Sequence, residues 1–373
     1  MEGHSLRVLM VTFDPPAGSG GIEGRTIAYT LGLLRRGIHV EVAAIHPEGR
    51  ESEEQYLGTK LVRLSSSLSR LPYTLSTLLE MIKSSSLDSV FFLSGGSTPI
   101  GILTLGFSRL TGRRCGVFFY GKDILQARRT PVGTMMMALS IMLAGRVATN
   151  SRYTAGLLPV RPRGHLIVIY PGVDPSIING LSRGTVDEAH PRILFVGRLI
   201  RRKGVDVLLT AFSQLRSGRP ASRLDIVGDG PEMSSLRAQA DTLRLGGAVT
   251  FYGPLYGSSL WERYAEASVF AMPSRQSIED VEGYGTVFLE AGIFGVPSVS
   301  TRTGGIPEAV IDGVTGKLVD SEDSRELRDA IQVLLDDPEE LRRLGRNAKA
   351  RAAQYSWEAS TRRVLELLGE TEA

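Results

Sequence analysis

Twice in this chain a short apolar run leads into a glycine-rich loop and then into a segment of helical spacing, and that repeated unit limits the folds available to it. Residues 7–13 (R-V-L-M-V-T-F) have the composition of a buried strand, D-P-P-A-G-S-G-G follows as a loop, and residues 22–36 read as a helix stopped by Gly37. From residue 192 the pattern returns as strand 192–196, loop G-R-L-I-R-R-K-G and helix 205–215. Strand, loop, helix is the first unit of a doubly wound sheet. The first series continues with strands expected at 40–44, 89–93, 116–120, 146–150 and 166–170, the second at 223–227, 249–252, 269–272 and 298–300. Short apolar runs of this kind suit parallel strands covered by helices on both faces. The expected fold is therefore α/β, with two doubly wound domains facing across a deep cleft at the carboxyl ends of their strands. A polar, turn-rich stretch at 179–191 reads as the linker, giving domains 1–180 and 181–356. The tail reads as a helix, a break near 355–357, and a last helix.

A length of 373 residues, 42% hydrophobic and 22% charged, is ordinary for two soluble domains with sizeable cores. No run approaches the roughly 18 apolar residues of a membrane span, and M-E-G-H-S-L-R lacks the regions of a signal peptide, so a cytoplasmic location is expected. The single cysteine, Cys115, has no partner for a disulfide and reads as a buried strand thiol. Net charge is only +3, but residues 1–180 hold 19 Lys and Arg against 12 Asp and Glu, and the remainder 24 against 28. In the basic half, Arg109, Arg113, Arg114, Lys122, Arg128 and Arg129 surround the apolar stretch T-M-M-M-A-L-S-I-M-L-A at 134–144. That mixture suits either peripheral contact with an anionic membrane or an acidic acceptor, and equally a core helix flanked by solvated arginines.

The chemistry concentrates in E-G-Y-G-T-V-F-L-E, from Glu282 to Glu290. Gly283 and Gly285 flank Tyr284 in a loop whose backbone can approach a ligand, and Thr286 and Val287 open a segment of helical spacing. A helix start offers free N–H groups and a favourable dipole to phosphate oxygens. The two carboxylates can accept hydrogen bonds from hydroxyl groups flanking such phosphates, so the ligand suggested is a nucleotide sugar. Arg198 and Lys203, just past the first strand of the second series, can neutralise a diphosphate, although Arg201 and Arg202 beside them also fit a solvated basic loop. Glycines 18, 20 and 21 could bring backbone N–H groups to the phosphates from the other domain. None of the five histidines has metal-ligand spacing to another and no carboxylate pair calls for a divalent ion, so no metal is expected.

Together these strings resemble the glycosyltransferases of family 4, retaining enzymes with two Rossmann-like domains in the GT-B fold. The matching segments are A-G-S-G-G-I-E, N-S-R-Y-T, Y-P-G-V-D, V-G-R-L-I-R-R-K-G-V, I-V-G-D-G-P-E, V-T-F-Y-G-P-L, V-E-G-Y-G-T-V-F-L-E-A, G-G-I-P-E and G-V-T-G, and they extend over nearly the whole chain. The resemblance is nearest to the branch with bacterial lipid mannosyltransferases. It implies that Arg198 and Lys203 grip the donor diphosphate, that Glu290 binds the ribose, and that Glu282 contacts the transferred sugar. It implies that Gly283, Tyr284 and Gly285 offer main-chain N–H groups to sugar hydroxyls, and Thr286 and Val287 theirs to phosphates. Gly253 to Leu255 would line the base, Gly20 and Gly21 would lie beneath the donor phosphates, and the helix from Trp357 would return to the first domain. The donor implied is GDP-mannose first and a UDP-sugar second, the acceptor a glycan or lipid-linked hydroxyl, with retention of anomeric configuration and no cofactor.

One position departs from the family. Where many members carry histidine, F-F-Y-G-K-D places Tyr120, a weak base at neutral pH but a serviceable hydrogen-bond donor. Asp123 could orient the acceptor hydroxyl or cap the next helix. A nicotinamide dehydrogenase is disfavoured because G-S-G-G-I-E-G is not G-x-G-x-x-G and no acidic residue ends the second strand. A two-carboxylate glycosidase scheme for Glu282 and Glu290 fits poorly with the glycine turn between them. A nucleotide-sugar epimerase and a catalytically degenerate nucleotide- or glycan-binding scaffold of the same fold remain as alternatives.

Overall fold

The structure, a computed structural model, describes residues 6–13, 21–46, 52–67, 69–83, 87–178, 187–320 and 322–370. The chain divides into two compact units, Met1–Pro171 with Trp357–Ala373, and Gly172–Ser356. Each is built on one twisted sheet with helices on both faces.

The first unit contains β1 (Arg7–Thr12), β2 (His39–His46), β3 (Ser52–Tyr56), β4 (Thr59–Ser65), β5 (Ser89–Phe92), β6 (Arg114–Phe119), β7 (Gly145–Thr149) and β8 (His165–Val168). Their order is β3-β4-β2-β1-β5-β6-β7-β8, parallel throughout except for the antiparallel pair β3 and β4. Neither strand of that pair was expected, because S-E-E-Q-Y at the sheet edge has no apolar character and in T-K-L-V-R-L-S Lys60 and Arg63 interrupt the apolar residues. Leu9, Val11, Val90, Phe92, Val117 and Phe119 bury on one face, and Val8, Met10, Phe91 and Phe118 on the other. This is the period-two alternation of a strand satisfied on both sides. Cys115 lies on β6, buried, and burial pushes its thiol up to about 11.

The helix Trp357–Leu368 belongs to this unit although it is last in sequence. Trp357 meets Tyr29 edge-on at 6.0 Å, and Ser360 Oγ donates to the Tyr170 carbonyl at 2.7 Å. Arg114 and Arg146 donate to the carbonyls of Leu368 and Leu367, so the open end of the helix meets two cations.

The second unit contains β9 (Arg192–Val196), β10 (Arg223–Val227), β11 (Val249–Gly253), β12 (Val269–Met272), β13 (Ser298–Thr301) and β14 (Gly316–Val319), all parallel in the order β11-β10-β9-β12-β13-β14. β9 to β13 fall where the apolar runs placed them, while the four-residue edge strand G-K-L-V was not anticipated. The chain runs outward from β9 in one direction through β10 and β11, then returns to start β12 on the other side. The strand order thus reverses between β9 and β12, and the carboxyl edge beside such a reversal is the position where doubly wound sheets bind ligands.

Candidate active site in the second unit

The loop leaving β9 and the loop leaving β12 are joined by charge. Lys203 Nζ lies 2.6 Å and Arg202 Nη1 2.8 Å from the same oxygen, Glu282 Oε2. Arg202 also pairs through Nε with Asp280 at 3.0 Å. These side chains are only 16% (Arg202), 11% (Lys203) and 13% (Glu282) exposed, so the pairs are poorly screened. Burial alone would raise the Glu282 carboxyl, but the Lys203 and Arg202 charges outweigh it and bring it down to about 2. For Lys203 burial wins over the attraction of Glu282, and its ammonium is held below the usual lysine value.

Local backbone chemistry fixes this triad. Gly204 follows Lys203 with φ of +71°, and a Cβ there would strike the Pro273 carbonyl, so the loop from β9 can lie against the loop from β12 only with glycine. Arg275 tightens the same contact, its N–H donating to the Arg202 carbonyl at 2.7 Å and its guanidinium to Asp206 at 2.9 and 2.6 Å. On the other side, Gly305 N–H donates to the Glu282 carbonyl at 2.9 Å.

The helix Thr286–Ile293 starts at Gly285, whose φ of +87° turns the chain sharply. The N–H groups of Thr286 and Val287 stand at the helix start ahead of any intrahelical acceptor, while that of Phe288 donates to the Gly285 carbonyl at 3.1 Å. Gly283 and Tyr284 are buried, and the Tyr284 ring packs 6.2 Å from that of Tyr355, so its side chain serves the core and leaves only main chain for a ligand. One turn into the helix, Glu290 Oε2 accepts from the Tyr264 hydroxyl at 2.7 Å. Burial raises the Glu290 carboxyl, against the opposing effects of that hydrogen bond and of the Lys203 charge. Tyr264 is itself fixed by stacking on Phe294 at 5.9 Å.

Other expected residues stand differently. Arg198 is exposed and makes no ion pair among the described residues. Gly253 ends β11, and Leu255 is half-buried in the loop that follows. In the first unit Gly21 opens the helix Gly21–Leu34, while Gly18 and Gly20 lie outside the described residues. Tyr120 follows β6 and stacks on Phe118 at 4.6 Å. The Asp123 carboxylate turns back on the start of the helix Lys122–Ala127 and accepts the N–H groups of Tyr120, Gly121 and Ile124 at 2.9 to 3.2 Å. Burial raises that carboxyl to about 6 in spite of these bonds.

Sequence reasoning passed over Arg202, Asp280 and Tyr264. Arg202 was one of two arginines in a run that equally fitted solvent, and nothing in W-E-R-Y-A-E marks Tyr264 as the partner of a carboxylate in another helix. Among the described residues no group of three or more His, Cys, Asp or Glu side chains is arranged to hold a metal ion.

Two such sheets, with glycine loops at the carboxyl edge, are the GT-B architecture of glycosyltransferases. Sucrose-phosphate synthase from Thermosynechococcus elongatus shares the fold with a TM-score of 0.76 over 97% of this chain and 98% of that one, at 23% identity. Anabaena HepE, crystallised with UDP, shares it with a TM-score of 0.77 over 98% of this chain and 100% of that one, at 21% identity. The family model for glycosyl transferases group 1 matches residues 182–351. A GDP-mannose-dependent alpha-(1-6)-phosphatidylinositol monomannoside mannosyltransferase from Mycolicibacterium smegmatis is 31% identical over 98% of this chain and 99% of its own length. A relative from Corynebacterium glutamicum, named as the enzyme for the monoacylated form of that acceptor, is 29% identical over 98% of both chains. The chain belongs to the group 1 glycosyltransferases, in agreement with the resemblance carried by its motifs, and it is a glycosyltransferase enzyme.

Proposed function

We propose that the protein transfers mannose from GDP-mannose, with retention of anomeric configuration, to a mannosylated phosphatidylinositol. The observation that carries this reading is the triad Lys203, Arg202 and Glu282 at the carboxyl edge of β9 and β12, one loop away from the start of the helix Thr286–Ile293. Breaking the sugar–phosphate bond leaves positive charge at the anomeric carbon and negative charge on the departing nucleoside diphosphate. Arg198 and Lys203 neutralise that diphosphate, and the first-turn N–H groups of Thr286 and Val287 receive its oxygens. Glu290, oriented by Tyr264, keeps its second oxygen for the ribose hydroxyls. Glu282 accepts from the transferred sugar, with Gly283, Tyr284 and Gly285 supplying main-chain donors. Gly253 and Leu255 border the base. The incoming hydroxyl attacks from the face the diphosphate leaves, and a phosphate oxygen takes its proton. Tyr120 donates to a sugar hydroxyl, and Asp123 acts through the backbone turn it holds. The cations named here do the work of a divalent ion, so transfer is expected to persist in chelator.

A lipid-linked acceptor also gives a role to the helix Pro131–Ala144. Met137, Ser140, Ile141 and Ala144 bury inward, while Val132, Met135, Leu139 and Met142 lie exposed on the opposite side, with exposed Arg128 and Arg129 at the near end. The buried face is that of a core helix, the exposed face supports the reading of membrane contact, and no described helix is long and apolar enough to cross a membrane. An exposed apolar stripe beside arginines matches the interface of an anionic bilayer, and peripheral contact there would bring the enzyme to its acceptor.

Thermal stabilisation by GDP, UDP and ADP in chelator tests the donor assignment. GDP at about 100 times its dissociation constant should add roughly 2.7 kcal/mol, an effect that Glu290→Ala should abolish. Stabilisation by UDP alone would move the donor to a UDP-sugar, and none with any nucleotide would contradict the donor site.

A further inference from the structure

The first unit holds a cation that nothing in the described structure neutralises. Arg25, on the second turn of the helix Gly21–Leu34, is only 4% exposed. Its guanidinium carbon lies 5.1 Å from the ring centre of Tyr120 and 5.5 Å from that of Phe118, over two rings that are themselves stacked. Nη1 is buried with no hydrogen-bond partner, and among the described residues no carboxylate pairs with this side chain. Each neighbouring group fails as a counter-ion. Tyr29, one turn further along the same helix, is buried and its phenol is pushed up to about 12, so it stays neutral. Asp123, on the turn that carries Tyr120, accepts the N–H groups of Tyr120, Gly121 and Ile124 and makes no ion pair with Arg25.

Stacking on aromatic faces offsets a small part of the cost of burying a charge, and an uncompensated guanidinium remains expensive. Such a group is retained where an anion completes it. Tyr120 lies directly past the carboxyl end of β6, and Arg25 stands over its ring, which puts both at the ligand edge of this sheet. Asn150, which donates from Nδ2 to the Tyr120 carbonyl at 3.5 Å, has a buried Oδ1 with no partner among the described residues. An unpartnered amide oxygen and a guanidinium without a counter-ion, each in contact with Tyr120, match a ligand carrying both a hydroxyl and an anionic oxygen.

We infer that Arg25 is a phosphate-binding residue, its free guanidinium edge pairing with the oxygens of a phosphate ester in the first unit. Resting on the function proposed above, two phosphates compete for this role, the phosphodiester of the lipid acceptor and the diphosphate of the donor. Planar, bidentate pairing with phosphate is the chemistry that favours arginine over lysine at such a position.

The test is titration calorimetry on purified wild type, Arg25→Met and Arg25→Lys, with glycerophosphoinositol as a soluble phosphodiester, GDP as the diphosphate, and uncharged myo-inositol as control. Arg25→Met should weaken one of the two phosphate probes at least tenfold while leaving the other within twofold. Weakened glycerophosphoinositol assigns Arg25 to the acceptor, and weakened GDP assigns it to the donor. Arg25→Lys should recover only part of the loss. Without ligand, Arg25→Met should melt no lower than wild type, because it removes an unpaired buried charge. If the methionine variant binds both probes within twofold of wild type, the inference is overturned, and the reading of the second unit stands. Should that variant not fold, Arg25→Lys decides by the same criterion. A wild type that binds neither phosphate probe overturns this inference and the proposed function together.

Discussion

Each unit buries a cation near the carboxyl edge of its sheet, and the two are treated in opposite ways. In the second unit Lys203 and Arg202 share Glu282, and Arg202 has Asp280 as well, so the site is electrically matched before any ligand arrives. In the first unit Arg25 has aromatic faces and no carboxylate among the described residues. A matched site holds its geometry rigid, and a diphosphate entering it must compete with Glu282 for Lys203. An unmatched site stores its charge for the ligand and is less stable empty. On the proposed function, preorganisation would fall to the second unit and recognition of a phosphate to the first.

Breaking the comparison from the second side should give the largest effect. Arg198→Ala or Lys203→Met should lower the rate of sugar transfer by about 100- to 1,000-fold, the usual cost of losing one donor to developing charge. The circular-dichroism spectrum of Arg198→Ala should match wild type, since Arg198 is exposed and makes no ion pair among the described residues. Next in size is the stability difference between removing an anion and removing a cation. Glu282→Ala leaves Lys203 without a partner and should cost about 3 kcal/mol in urea unfolding, the low end for a broken buried pair because Arg202 retains Asp280. Arg25→Met in the same experiment should cost nothing.

The two units also answer pH with opposite signs. Glu282 is held down at about 2, so its pairing stabilises fully above the ordinary value of 4.5 and is lost as pH falls toward 2. Asp123 in the first unit is raised from 3.8 to about 6, so its protonated form is the one the fold prefers, and stability falls as pH rises through that window. Unfolding curves from pH 2 to 7 should therefore lose their acid limb in Glu282→Gln and lose the decline between about 4 and 6 in Asp123→Asn. The smallest effect is expected at Tyr264→Phe. It removes the hydrogen bond from the Tyr264 hydroxyl to Glu290 and should weaken GDP binding severalfold, the equivalent of about 1 kcal/mol, in calorimetric titration.

How much of this was legible in the sequence follows the same division. Strands such as R-I-L-F-V and V-F-A-M announce themselves because burial on both faces demands continuous apolar runs. The edge strands S-E-E-Q-Y and G-K-L-V do not, because an edge is half solvated and its register comes from the neighbouring strand. In the site, glycines and charged residues at strand ends mark themselves as candidates because loops at that edge have few other reasons to carry them, and the structure brings Lys203 and Glu282 together. Pairing could not be read. That Lys203 meets Glu282 across 79 residues, and Tyr264 meets Glu290 from a different helix, depends on which strands are neighbours in the sheet. Arg25 was hidden for a related reason, since within R-T-I-A-Y-T it looks like a helix-surface cation until Phe118 and Tyr120 are found beneath it.

The most direct measurement is transfer itself. Wild type would be incubated in chelator with GDP-mannose and anionic vesicles containing mannosylated phosphatidylinositol, and the lipid product read by mass spectrometry and by the NMR coupling of its anomeric carbon. The predicted result is one added hexose in α linkage, absent with Arg198→Ala. Free mannose without a lipid product, a β linkage, or unchanged transfer by Arg198→Ala would contradict the account.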